Sequence, residues 1–252
     1  MPTQLTGRTA SRLHTAATMA DPVAATPAEA AMNLDTAYAV QRELAQLSGQ
    51  RIAGYKIGLT SAAAQAQFSV DHPIAGFLTD TAVIASHDTV SLTGMIDPKV
   101  EIEFGFLLAE DVDGSATAAD ILAATRTLML CLEIIDSRWS GGPGTVAMLV
   151  ADNSSAARAV TVREIGVPDG LADAAVSATI GNTVLSGNAR DVMGHPAQSV
   201  AWLAGHLATD GRRLAAGDLV LSGSLIAPQP IRPGDQVDAD FGPLGTVSVR
   251  FG

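Results

Sequence analysis

The chain reads as an α+β protein with a mainly β body, and three observations predict this. Helical periodicity is confined to residues 26–53 and to one later stretch opened by Pro196. From Gly54 onward most of the chain is short β-rich runs broken by Gly, Pro and Asp. A composition of 47% hydrophobic and 16% charged residues over a length of 252 supplies the apolar surface for a real core. This length suits one large domain or two small ones.

Residues 1–25 are rich in Ala, Thr and Met and lack the continuous apolar stretch of a secretory signal, so a flexible or loosely helical leader is expected. Thr26-Pro27-Ala28-Glu29 is a helix start, with Thr as cap, Pro at the first position and Glu at the third. Asp35 can cap a further helix in which Ala37, Val40, Leu44 and Leu47 recur at spacings of 3, 4 and 3, ended by Gly49. Residues 26–53 therefore form a helical N-terminal portion. Strands are expected over 82–85, 99–108, 128–135, 158–163, 175–185, 218–222, 235–241 and 245–251. Gly242-Pro243-Leu244-Gly245 reads as the turn between the last two. One helix interrupts this body: Pro196 opens it, Val200, Leu203, Ala204 and Leu207 form its apolar stripe, and Gly211 closes it.

Composition excludes several function classes. Fifteen basic against 26 acidic residues leave a net charge of −11, which opposes general nucleic-acid binding. No run of 18 apolar residues is present, so no membrane-spanning helix is expected. Cys131, the one cysteine, excludes an internal disulfide and a Cys-based zinc site, and fits a reducing, cytoplasmic location. There is no Gly-x-Ser-x-Gly elbow, phosphate loop, dinucleotide fingerprint or His-Glu-x-x-His. His195, before a proline at a helix start, reads as a capping or surface residue. The basic residues divide into 13 Arg and two Lys, Lys56 and Lys99, both within the segments that carry the chemistry.

Lys99-Val100-Glu101-Ile102-Glu103-Phe104 is the strongest local signal. On a strand, Glu101 and Glu103 share one face and Val100, Ile102 and Phe104 the other. Two adjacent carboxylates repel each other, so the pattern calls for a cation between them or for a wet sheet face. Glu133 stands inside the apolar run Leu128–Ile135, where an unpaired charge is costly. A metal ion shared by Glu101, Glu103 and Glu133 answers both segments, and three carboxylates favour Mg²⁺ or Mn²⁺. The alternative is a buried ion pair of Glu133 with Arg138 or Lys56. Gly54-Tyr55-Lys56-Ile57-Gly58-Leu59-Thr60-Ser61 offers a lysine between glycines, suited to an anionic ligand or to a plain strand-turn. Val150-Ala151-Asp152-Asn153-Ser154-Ser155 and Leu221-Ser222-Gly223-Ser224-Leu225 place polar groups after apolar runs.

These five segments, in this order from about residue 34 to the C-terminus, resemble the hydratase/decarboxylase branch of the fumarylacetoacetate hydrolase superfamily, which acts on 2-oxo acids in meta-cleavage catabolism of aromatic compounds. The resemblance implies a mixed β-roll with flanking helices, which makes residues 54–252 the catalytic domain. It implies Mg²⁺ (or Mn²⁺) held by Glu101, Glu103 and Glu133 and chelated by a 2-oxo acid substrate. It implies catalytic roles for Lys56, Asp152 and Ser155, and substrate contacts from Leu59, Ile74, Arg138, Ser222 and Gly223. A homo-oligomer, in some cases with a paralogous hydratase or decarboxylase subunit, is also implied.

Hydratases of this branch carry Pro-Asp-aromatic-Gly after the lysine motif. Here the stretch is Pro73-Ile74-Ala75-Gly76-Phe77-Leu78-Thr79-Asp80, and Ile74 cannot act as acid or base. The resemblance therefore favours a decarboxylase of an unsaturated 2-oxo dicarboxylate, of the 2-oxo-3-hexenedioate type. A 2-hydroxypenta-2,4-dienoate hydratase, or a related lyase or hydrolase on a specialised 2-oxo acid, is the alternative. Arg138, Arg158 and Arg190 are candidates for holding a second substrate carboxylate.

Overall fold

The structure is a computed structural model that describes residues 2–85, 89–181 and 183–252. Three helices come first: α1 (Pro2–Met19), α2 (Pro27–Ala30) and α3 (Leu34–Ser48). They are followed by β1 (Ile52–Gly58), α4 (Ala62–Gln67), β2 (Ile74–Thr79), β3 (Val83–Ala85), β4 (Thr89–Val90) and the long β5 (Lys99–Leu108). The middle of the chain holds α5 (Ala118–Ala124), β6 (Thr125–Ile135), α6 (Val146–Ala151), β7 (Ala156–Ile165), β8 (Ala175–Ile180), β9 (Thr183–Asn188) and α7 (Pro196–Thr209). Strands β10 (Leu219–Leu221), β11 (Gln229–Pro230), β12 (Gln236–Asp240) and β13 (Thr246–Phe251) close it.

The strands form two sheets. One runs β2-β1-β10-β5-β6-β7-β3, with β11 pairing the start of β5; the other runs β4-β13-β12-β8-β9. The first sheet mixes parallel pairs (β1 with β10, β3 with β7) and antiparallel ones, so the fold is the expected α+β mixed roll with flanking helices. Alternation along β5 decides what each face does. Val100, Ile102, Phe104, Phe106 and Leu108 are buried in the main core, where Phe104 packs against Phe241 with ring centroids 5.4 Å apart. Each such side chain contributes about 2–3 kcal/mol by leaving water. The opposite face carries a small apolar cluster of Leu78, Cys131, Ala159, Leu219 and Leu221, continuous with the three glutamates.

The expected strands match observed ones, with one division. The 175–185 run splits at Gly181 (φ 58) into the β8–β9 hairpin; Asn182 lies outside the described residues. The cap of α3 is Asn33, whose side chain accepts from Thr36 N, and Asp35 stands in the first turn instead. Gly49 ends that helix at φ 63, the left-handed conformation a C-terminal glycine supplies.

The leader expected to be flexible or loosely helical is a helix packed on the core. This is α1, whose Ala10, Leu13 and Ala16 are buried. Buried Glu29 secures it: the carboxylate accepts from Thr9 Oγ1, Arg12 Nη1, Thr26 N and Thr26 Oγ1. The buried face of α1 is short, Ala10, Leu13 and Ala16 with Thr9, which leaves little hydrophobic periodicity to read. Gln41, a polar residue on α3, ties the helical layer to the sheet by donating to Ala75 O and Val150 O at 2.8 and 3.0 Å. No helix among the described residues is long and apolar enough to cross a membrane.

Candidate metal centre and substrate cleft

Strands β5 and β6 pair antiparallel with Glu101 opposite Glu133, Glu103 opposite Cys131 and Lys99 opposite Ile135. Directly opposite and alternate residues share a face, so this register brings the three carboxylates together. One oxygen from each lies within 4.8 Å of the others. The wet-face alternative is excluded for two of them, since Glu103 is 1% exposed and Glu133 fully buried. Glu103 Oε2 accepts from Gly223 N at 2.8 Å, while Glu103 Oε1 and Glu133 Oε1 have no hydrogen-bond partner. Buried carboxylate oxygens without partners are costly, and a hard divalent cation with oxygen ligands satisfies them; the donor set fits that group.

Lys56 reaches the same point from β1. Its Nζ is 3.2 Å from Glu133 Oε2 and 3.8 Å from Glu101 Oε2, and donates to Ser154 O at 3.4 Å. Of the two ion-pair partners considered for Glu133, the structure selects Lys56. Burial alone depresses the Lys56 ammonium, but Glu133, Glu101 and Glu103 together outweigh it and hold it above the ordinary lysine range. Burial, then Glu133 and Glu101, hold the Glu103 carboxyl well above the usual carboxylate range. Burial pushes Glu133 up to about 8, against the pull of Lys56. One lysine does not neutralise two buried carboxylates and a third that is partly buried, which again fits a divalent ion. Gly76, opposite Lys56 in β2, makes room for the lysine stem: a Cβ there would meet Asn153 O at 2.8 Å and Lys56 Cγ at 3.0 Å.

The cluster opens into a cleft of about 1240 Å³. Lys56, Leu59, Ile74, Glu101 and Ser155 line it, together with the helix start at Ser61, the loop Gly141-Gly142-Pro143 and Trp139. Asn153, Ser154 and Ser155 all have positive φ (51, 52 and 57), an unusual run for residues other than glycine. It is held by side chains. Asn153 accepts from Phe77 N at 2.8 Å and donates to Phe77 O at 2.9 Å, replacing a strand neighbour, and Ser154 Oγ donates to Ala75 O.

Other expected site residues lie elsewhere. Asp152 and Arg138, assigned to catalysis and substrate binding, are buried against each other off the cleft. Arg138 Nε donates to Asp152 Oδ1 at 2.5 Å, Nη1 to Asp136 O and Ala156 O, and Nη2 to Asp152 O. Four of its five N–H groups are thus taken by protein, and Arg138 does not line the cleft. Ser222 and Gly223 stand behind Glu103: Gly223 N–H holds that carboxylate, and Ser222 Oγ is buried without a partner. Gly223 adopts φ 107 and a Cβ there would meet Thr60 Oγ1 at 2.3 Å, so only glycine fits. Of the arginines considered for a second carboxylate, Arg190 lies on the cleft, ion-paired to Asp173, whereas Arg158 does not line it. His195 caps α7, its Nδ1 accepting from Ala197 N at 3.0 Å.

Sequence reasoning missed Asp97 and Asp191 on the cleft and buried Asp136 behind it. Asp136 accepts from Ile96 N and Asp97 N at 2.8 and 2.7 Å and so fixes the approach to β5. Asp97 and Asp136 each stand close to a glutamate segment in sequence, the signal that could have found them.

Comparison with known proteins bears on this site. The fumarylacetoacetate (FAA) hydrolase C-terminal family matches residues 52–251. The chain is 37% identical over 229 residues to a 2-hydroxyhexa-2,4-dienoate hydratase of Comamonas testosteroni, with 87% of each chain covered. It is 34% identical over 235 residues to a 4-oxalocrotonate decarboxylase of Pseudomonas sp. (strain CF600), covering 87% of this chain and 86% of that one. The structure superposes with a TM-score of 0.92 on the 4-oxalocrotonate decarboxylase from Pseudomonas putida G7 complexed with magnesium and adipate, at 31% identity over 99% of this chain and 98% of that one.

Proposed function

The chain belongs to the fumarylacetoacetate hydrolase C-terminal family, and from that premise we propose that it is a divalent-metal-dependent lyase that decarboxylates an unsaturated 2-oxo dicarboxylate of the 2-oxo-3-hexenedioate type. The observation that carries this is the cluster of Glu101 with buried Glu103 and Glu133, the latter two with unpartnered oxygens, open to a cleft beside Lys56. Glu101, Glu103 and Glu133 hold Mg²⁺ or Mn²⁺ in this reading. When bound, the ion supplies Lewis-acid polarisation of the 2-oxo group.

The protein's own residues do the rest. Lys56 keeps a positive charge at the head of the cleft, where it attracts the carboxylate next to the 2-oxo carbon. Leu59 and Ile74 form an apolar wall that excludes water from the reacting carbons, and Ser155 offers a hydroxyl beside them. As the distal carboxylate leaves as CO₂, the C–C bonding pair moves through the conjugated chain toward the 2-oxo oxygen. Ile74 supports this reading over hydration, since it holds no proton at the position where the hydratase pattern has an aspartate. A homo-oligomer accompanies the reading, as the family resemblance implies.

The hydratase reading is supported by Asp97 and Asp191, two cleft carboxylates able to move a proton to or from water, and by the 37% identity to a dienoate hydratase. An assay of metal-stripped protein separates the two. Metal-dependent CO₂ release from 2-oxo-3-hexenedioate, lost in Glu133→Gln, is the expected result. Consumption of 2-hydroxypenta-2,4-dienoate without CO₂ release from the diacid would move the assignment to hydratase.

A further inference from the structure

We propose that Lys99 forms a subsite for the distal carboxylate of the substrate and so sets a preference for dicarboxylates. The inference rests on the lyase reading above and adds the residue that recognises the far end of the ligand.

The argument starts from the cleft face of the β5–β6 pair. Three cross-strand pairs succeed one another from the interior outward: Glu103 with Cys131, Glu101 with Glu133, and Lys99 with Ile135. The first pair is fully buried, and at the last Ile135 is half-buried and Lys99 exposed. Lys99, Glu101 and Ile135 all line the cleft. A ligand whose 2-oxo acid head sits at the glutamates therefore runs outward past Ile135 toward Lys99. One step along this ladder is two residues, about 6.6 Å. An extended six-carbon chain with bonds of ~1.5 Å spans about 6 Å between its carboxyl carbons. The step and the ligand have the same length, with an aliphatic side chain beside the ligand's middle and an ammonium beside its end.

Charge points the same way. Three cationic side chains line the cleft. Lys56 faces Glu133 and Glu101, and Arg190 is ion-paired to Asp173. Among the described residues the exposed Lys99 side chain has no hydrogen bond or ion pair, so its charge is available to a ligand. Asp97 and Asp191 on the same cleft would repel a second ligand carboxylate placed elsewhere. A lysine also suits this position chemically, because a flexible point charge follows the end of a chain that an arginine fork would hold in one geometry.

The test is calorimetric binding of 2-oxoadipate and 2-oxohexanoate to the Mg²⁺-loaded protein; the two ligands differ only in the distal carboxylate. The wild type is expected to bind 2-oxoadipate more tightly. Lys99→Met is expected to weaken 2-oxoadipate about tenfold, as for loss of a charge-assisted contact, and to leave 2-oxohexanoate within about twofold, while Lys99→Arg keeps most of the preference. An unchanged 2-oxoadipate affinity in Lys99→Met, or an equal loss for both ligands, overturns the subsite. Failure of the wild type to bind either 2-oxo acid with Mg²⁺ overturns the lyase reading itself, and the subsite with it.

Discussion

Lys56 Nζ lies 3.2 Å from Glu133 Oε2, with the glutamate wholly buried and the lysine side chain 4% exposed. The two residues are far apart in sequence and on different strands, β1 and β6. Their contact makes Lys56 the cation that faces the carboxylate group from inside the protein.

Replacing Lys56 by Met is therefore expected to destabilise the metal-free protein by about 3–5 kcal/mol at pH 8, the cost of leaving buried charge unpaired. Mg²⁺ should restore much of this, because a ligand that binds only the folded state stabilises it. Thermal melts in EDTA and in Mg²⁺ read the difference. An equal loss under both conditions would show that the lysine supports the fold in some other way.

The pH dependence has a definite sign. Glu133 is raised in the folded state to about 8 from an ordinary 4.5, first by burial. Between those values the folded metal-free protein binds more protons than the unfolded chain, so its stability falls as pH rises from about 4.5 to about 8. Lys56 stays charged across this window. A metal must displace the proton, so Mg²⁺ affinity rises over the same window. Melting temperatures at pH 6 and 8, with EDTA and with Mg²⁺, test this. A metal-free melting temperature that climbs with pH would contradict it.

Arg138→Met is expected to cost about 3–5 kcal/mol of stability by stranding the buried Asp152 carboxylate, with KM for the dicarboxylate within about twofold of wild type. Denaturant unfolding and steady-state kinetics measure the two effects. A large rise in KM with stability intact would return Arg138 to the substrate site.

Gly76→Ala probes the space around Lys56. The added methyl would meet Asn153 O at 2.8 Å and the lysine stem at 3.0 Å, so about 1–3 kcal/mol of overpacking is expected. Displacement of Lys56 should lower kcat by about tenfold or more, since small misplacements in a reactive geometry are expensive in rate. Full activity in a folded Gly76→Ala protein would mean that Lys56 does not need its present position.

The sequence alone carried the fold class, the strand pattern and the carboxylate group. Period-2 alternation put Glu101 and Glu103 on one face, and an apolar run around Glu133 demanded a partner for it. These signals are local, and alternation on a strand survives whatever the strand packs against. Tertiary structure decided the pairings between distant segments. The β5–β6 register set Glu101 opposite Glu133 and Lys99 opposite Ile135. The meeting of β1 with that sheet gave Glu133 its lysine, and the packing of the 152–155 segment gave Asp152 to Arg138 rather than to a substrate. The physical reason is that burial and charge pairing depend on which side chains share a low-dielectric space, and residues far apart in the chain enter that space only when the sheet closes.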